Sequence, residues 1–233
     1  MGKLLRLGAL AYGVFTRMNK SVQFSFAALI LGTSAMAQPV QVVALGDSLT
    51  AGYGLPDGQG FVPQLQAWLD DAGADVEIVN AGVSGDTTAG GLARLDWSLS
   101  DETDAMIVAL GGNDLLRGLP VASSRDNLDA ILSRIAGDAN LPVLLIGLEA
   151  PGNYGPDYQS DFNAMYPDLA RKYGVLLERS FLSPLVAEVD LATARKRYLQ
   201  ADGIHPNREG VGLIVAAFGP RVVELAAQAT AQN

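Results

Sequence analysis

Five short apolar runs separated by segments of helical spacing constrain this chain more than any other feature. The runs are residues 40–45, 76–79, 104–110, 142–148 and 175–177. Between the first two, Phe61, Val62, Leu65, Trp68 and Leu69 recur at helical spacing over 61–72, and Gly73 closes the segment. Leu92 and Leu95 mark a brief helix before Trp97. Ser123 or Ser124 is placed to cap a helix carrying Leu128, Ile131, Leu132 and Ile135 and ending near Gly137. Further helices are expected over 159–173 and 207–227, the last with a bend at Gly219-Pro220. Strands alternating with helices argue for an α/β fold, a parallel sheet covered by helices on both faces. The run at 142–148 is apolar throughout, as a strand buried on both faces must be.

At 233 residues the chain suits one domain, and no repeat, low-complexity tract or linker interrupts 38–233. A domain near 200 residues buries roughly 70% of its unfolded surface, enough for a core without staples. The absence of cysteine excludes a disulfide framework, a thiolate metal site, a cysteine nucleophile and lipid attachment through an N-terminal Cys. Ahead of the domain, Met18-Asn19-Lys20 leads into a short apolar stretch from Phe24 to Gly32 and then Ala35-Met36-Ala37. That order is a basic region, an apolar core and an A-x-A cleavage site. The stretch falls short of the roughly 20 residues that span a bilayer. Residues 1–37 are therefore read as a signal peptide cleaved after Ala37, with Met18 as the true start, rather than as a membrane anchor. The expected destination is the periplasm or the exterior.

Residues 1–37 hold four of the sixteen basic residues and none of the twenty-five acidic ones, which leaves 38–233 with twelve against twenty-five, net −13. Such a surface disfavours nucleic acid or anionic membrane as partner. Solubility alone accounts for the charge, and it identifies no substrate.

Four loops hold the residues with chemistry. The first, Gly46-Asp47-Ser48-Leu49-Thr50, follows the first strand, where ligands bind in open α/β sheets. Read alone, Ser48 is a helix cap, and the loop lacks the second glycine of the G-x-S-x-G elbow. The second, Asn80-Ala81-Gly82-Val83-Ser84-Gly85-Asp86, reads alone as a turn in which Gly85 lets a backbone N–H approach a ligand. In the third, Gly111-Gly112-Asn113-Asp114, two readings of Asn113 stand: a neutral donor to a developing oxyanion, or a side chain that bonds the loop to itself. The fourth, Asp202-Gly203-Ile204-His205-Pro206-Asn207, contains the chain's single histidine, three residues after a carboxylate. Asp202 can orient the ring of His205 while its other nitrogen takes a serine proton. One histidine and no cysteine are too few for a conventional zinc site.

Together, in this order, the four blocks resemble the GDSL-type, or SGNH, hydrolases, and the resemblance spans nearly all of 38–233. Gly91-Leu92-Ala93-Arg94-Leu95, Leu116-Arg117-Gly118, Asn153-Tyr154-Gly155 and His205-Pro206-Asn207-Arg208 are similar to the exported thioesterase I, lysophospholipase and arylesterase subgroup. The resemblance implies a flavodoxin-like three-layer αβα sandwich with a five-stranded parallel sheet. It implies Ser48 as nucleophile, His205 as general base and then acid, and Asp202 as its orienting carboxylate. The oxyanion hole would be formed by the N–H groups of Ser48 and Gly85 and the side chain of Asn113. Neither metal nor cofactor is implied. Leu115 stands where the subgroup often has glycine, which bears on loop stiffness and acyl preference.

The reading that follows is a serine hydrolase of esters and thioesters with apolar acyl groups. Leu115, Leu116, Leu119, Pro151 and Tyr154 are expected to line its pocket. The expected partner is a small or lipid-like acyl ester, and a monomer is favoured. Two alternatives stand: a carbohydrate O-acetylesterase, which shares the four blocks, and a non-catalytic flavodoxin-like binding module. Against phosphate binding, the first loop offers glycines but no basic residue over 40–60.

Overall fold

Five strands, β1 (Val40–Gly46), β2 (Val76–Gly82), β3 (Ala105–Ala109), β4 (Val143–Ile146) and β5 (Leu176–Glu178), pair in parallel in the order β2-β1-β3-β4-β5. That is the flavodoxin-type order, whose topological switch lies between β1 and β3. The computed structural model describes residues 38–232. The signal peptide expected over 1–37 lies outside the described residues.

Alternation along each strand builds two cores. In β1, Val42 and Ala44 face one layer while Val43 and Leu45 face the other, all essentially buried. The first layer is α2 (Phe61–Asp71) and α9 (Arg208–Gln232), contributing Phe61, Leu65, Leu69, Ile214, Phe218, Val222 and Leu225. The second is α6 (Val121–Leu132) and α7 (Pro156–Tyr173), contributing Leu128, Ile131, Leu132, Phe162, Met165 and Leu169. Among the described residues, α9 alone has the length and hydropathy to cross a membrane, and its apolar face is spent on the sheet.

Several boundaries differ from expectation for identifiable reasons. The helix α6 starts at Val121 behind Pro120, so neither Ser123 nor Ser124 caps it. Proline suits a helix entrance because its φ is already fixed. After Leu132 the helix widens into one π-helical turn, Ser133–Asp138. The helix α7 begins at Pro156, and α9 runs through Pro220 to Gln232. The segment around Leu92 and Leu95 forms two pieces, α3 (Thr88–Ala93) and α4 (Leu95–Ser98). The helix α1 (Ser48–Ala51) begins where a cap was read at Ser48, while α5 (Gly112–Leu116), a 3-10 turn (Ser183–Val186) and α8 (Leu191–Tyr198) are unanticipated and short.

Candidate active site

At the end of β1 the chain passes directly into α1, and Asp47 rather than Ser48 caps that helix, its Oδ1 accepting from the Leu49 N–H at 3.0 Å. Ser48 is thereby the first helical residue, with its hydroxyl free of capping. That hydroxyl lies 2.8 Å from His205 Nε2, and His205 Nδ1 lies 2.6 Å from Asp202 Oδ2. The other Asp202 oxygen accepts from the N–H groups of Ile204 at 2.9 Å and His205 at 3.0 Å. Partial burial pushes the Asp202 carboxyl upward, but the Ile204 and His205 hydrogen bonds and the nearby imidazole outweigh it and hold the group at about 2. An ionised Asp202 fixes the tautomer of His205, with Nδ1–H donating to the carboxylate and Nε2 left to accept the Ser48 proton.

The loop holding His205 is itself anchored. The Gln200 N–H donates to the His205 carbonyl at 2.7 Å, and the Gln200 side-chain amide donates to the carbonyls of Tyr53 and Pro206. The Tyr53 ring packs on the imidazole with centroids 4.8 Å apart.

Gly85 and Asn113 arrive from the ends of β2 and β3. Gly85 has φ +91°, a left-handed conformation that favours glycine. Arg117 donates to its carbonyl at 2.8 Å. Asn113 donates one Nδ2 hydrogen to the Asp86 carbonyl at 2.9 Å, so it does bond the loop, and its second hydrogen is held in a fixed direction as a result. The loop-bonding reading of Asn113 is thereby observed, and it leaves the second hydrogen available. Arg94 joins the second loop to the end of β1, donating to Asp86 Oδ2 at 2.6 Å and to the Gly46 carbonyl at 2.8 Å.

Sequence reasoning missed the residues beneath this surface. Asp114 is buried and accepts from the Thr88 N–H, the Thr88 hydroxyl and the Ser124 hydroxyl at 2.8, 2.6 and 2.9 Å, pinning α5 to α3 and α6. Asp47 is also buried, and a Cβ at position 112 would stand 2.8 Å from its Oδ2, so glycine there lets the carboxyl pack under the third loop. Burial pushes the Asp47 carboxyl up to about 6, against the pull of the Leu49 N–H and the His205 ring. The one available signal was the adjacency of Asp47 and Asp114 to Ser48 and Asn113.

A cleft of about 460 Å³ opens beside Ser48, His205 and Asn113. Leu115, Leu116 and Pro151 line it as expected, whereas Leu119 and Tyr154 do not. The Tyr154 ring lies against Gly118, and its hydroxyl donates to the Leu116 carbonyl at 3.2 Å. Leu182, Leu185, Val186 and Leu191, from the 3-10 turn, its N-cap and α8, line the cleft as well. Among the described residues, no cluster of three or more His, Asp or Glu side chains is gathered to hold a metal ion.

Residues 44–213 match the GDSL-like Lipase/Acylhydrolase family. The chain is 42% identical over 181 residues to "Esterase TesA" of Pseudomonas aeruginosa, covering 77% of this chain and 85% of that protein. It is 37% identical over 185 residues to "Thioesterase 1/protease 1/lysophospholipase L1" of Escherichia coli, covering 79% and 84%. Its fold superposes with a TM-score of 0.64 on AlinE4, an SGNH-hydrolase family esterase, at 42% identity over 81% of this chain and 97% of that one.

Proposed function

Since the chain belongs to the GDSL-like lipase/acylhydrolase family and is a hydrolase of ester bonds, we propose that it cleaves esters and thioesters of apolar acyl groups through an acyl-enzyme on Ser48. The observation that carries this reading is an apolar cleft opening onto a serine hydroxyl already 2.8 Å from a carboxylate-oriented imidazole. In the reaction, Ser48 Oγ bonds to the acyl carbon as its proton passes to His205 Nε2. The N–H groups of Ser48 and Gly85 and the amide of Asn113 receive the oxyanion. The ester or thioester bond then breaks, and the His205 proton leaves with the alcohol or thiol. Water repeats the sequence: it loses a proton to His205, attacks the acyl-enzyme, and Ser48 recovers its proton as the acid departs.

The character of the cleft favours a long acyl group over the acetylated-sugar alternative. Its lining is rich in leucine, which suits an acyl chain and offers a sugar's hydroxyls few hydrogen-bond partners. A series of 4-nitrophenyl esters from acetate to dodecanoate, run beside an acetylated xylo-oligosaccharide, tests this. The expected result is a rise in kcat/KM of about tenfold or more between two and eight carbons. Preference for acetate or for the acetylated sugar would reverse the reading.

Export completes the proposal, supported by the order of basic residues, apolar stretch and Ala35-Met36-Ala37. Enzyme recovered from outside the cytoplasm should begin at Gln38, and an uncleaved chain retained in the cytoplasm would speak against export.

A further inference from the structure

Within the strongly acidic 38–233 segment, the cleft carries one arginine. The helix α8 has three consecutive basic residues, Arg195, Lys196 and Arg197. Arg197 turns outward, pairs with Glu209 at 2.7 Å and lies over the Tyr198 ring. Arg195 shares a face with Leu191 and Ala194 at i, i+3 and i+4 spacing, and all three line the cleft. No carboxylate of the described residues lies within ion-pair distance of the Arg195 guanidinium; the same holds for Arg117, Arg179 and Arg208, but of these four only Arg195 lines the cleft. The cleft's exposed acidic residue, Glu149, stands on the loop after β4. The cleft lining thus offers an exposed cation on α8 and an exposed anion on the loop after β4. Leu185 of the 3-10 turn and Leu191 of α8 line the same cleft as Arg195 and Ser48.

We propose that Arg195 forms an oxyanion-binding subsite on the α8 side of the cleft, selecting ester substrates that carry a carboxylate or phosphate several carbons from the scissile bond. This rests on the ester-hydrolase reading of Ser48 and deepens it by naming a substrate class. A guanidinium suits the role because it meets either anion with two parallel hydrogen bonds. The apolar wall holds the chain between the two polar ends, so the advantage of an anion depends on its distance from the carbonyl. Simple packing of the arginine stem along the leucines would instead affect charged and neutral substrates alike.

The test compares wild-type, Arg195→Gln and Arg195→Lys enzymes on two matched series at low ionic strength. One series sets 4-nitrophenyl monoesters of six- to twelve-carbon dicarboxylic acids against the corresponding monocarboxylic esters. The other sets 1-acylglycerol 3-phosphate against 1-acylglycerol, so that the two arms distinguish a carboxylate on the acyl side from a phosphate on the alcohol side. In at least one series Arg195→Gln should lower the anionic-to-neutral ratio of kcat/KM by about three- to tenfold. The loss should peak at one chain length, shrink in 0.5 M salt and be partly restored in Arg195→Lys. An unchanged ratio in both series, or an equal loss for neutral and anionic members, overturns the subsite. Calorimetric binding of dodecanedioate to Ser48→Ala, with and without Arg195→Gln, decides the subsite independently of turnover. If the wild type hydrolyses no ester at all, the reaction assignment fails while that binding comparison still decides the role of Arg195: equal affinity in the two proteins overturns it.

Discussion

Asp47 illustrates how much of this site lies one residue away from its chemistry. Its side chain caps α1 from a buried position, leaving the neighbouring Ser48 hydroxyl to His205. Burial raises the Asp47 carboxyl to about 6, above the ordinary value of 3.8 that it regains on unfolding. A raised carboxyl means that the folded state binds the extra proton, so its contribution to stability is fully present below pH 4 and is lost as pH rises to 6. The shift corresponds to at most about 3 kcal/mol. Asp202 acts in the opposite sense and a different window: held at about 2, its stabilisation is present above pH 4 and fades only in stronger acid. Asp47→Asn keeps a capping oxygen but cannot ionise. Urea unfolding of both proteins from pH 4 to 8 should therefore show wild-type stability falling relative to Asp47→Asn as pH rises toward 6. A constant difference across that range would contradict the effect assigned to burial. Asp202 and His205 could be paired in sequence because the chain has a single histidine and a carboxylate stands three residues before it, whereas Ser48 emerged as their partner only from the four blocks taken together. Asp47 and Asp114 were not legible, since a buried polar contact leaves no periodic trace.

The elements divide in the same way. Long helices and strands were readable because each buries a regular stripe, as Phe61, Leu65 and Leu69 do in α2. Short elements around the switch were invisible for want of turns: α5 has five residues and the 3-10 turn four, too few to show a period. The helix α8 is longer, but its buried residues Ala194 and Tyr198 are outnumbered by exposed ones. The Leu115-Leu116 wall of the cleft was consequently anticipated, and the wall from the 3-10 turn and α8 was not. That wall makes a prediction of its own. Leu182→Trp adds bulk at a partly buried position on the wall. It should lower kcat/KM for dodecanoyl relative to butanoyl 4-nitrophenyl esters by about tenfold or more, with little change for the shorter ester. Parallel losses on both esters would place the acyl chain elsewhere.

For the whole molecule, the parallel sheet in the order β2-β1-β3-β4-β5 explains why residues as distant in sequence as Ser48 and His205 meet. The loops after β1, β2 and β3 converge at the switch, and α9, packed across the sheet, delivers the loop that precedes it. Alternation of strand and helix made the fold class legible. Strand order was not, because every parallel order shares that alternation, and only the resemblance supplied it. Architecture and chemistry meet at one atom, since the hydroxyl of Ser48 is the group proposed to become acylated. Reaction with a fluorophosphonate probe, followed by intact mass and peptide mapping of the labelled protein, tests that assignment at the atom itself. The expected outcome is one adduct, on Ser48, with labelling abolished in Ser48→Ala together with a loss of ester turnover of about 10⁴–10⁶-fold. An adduct on any other residue, or undiminished labelling and turnover in Ser48→Ala, would contradict it.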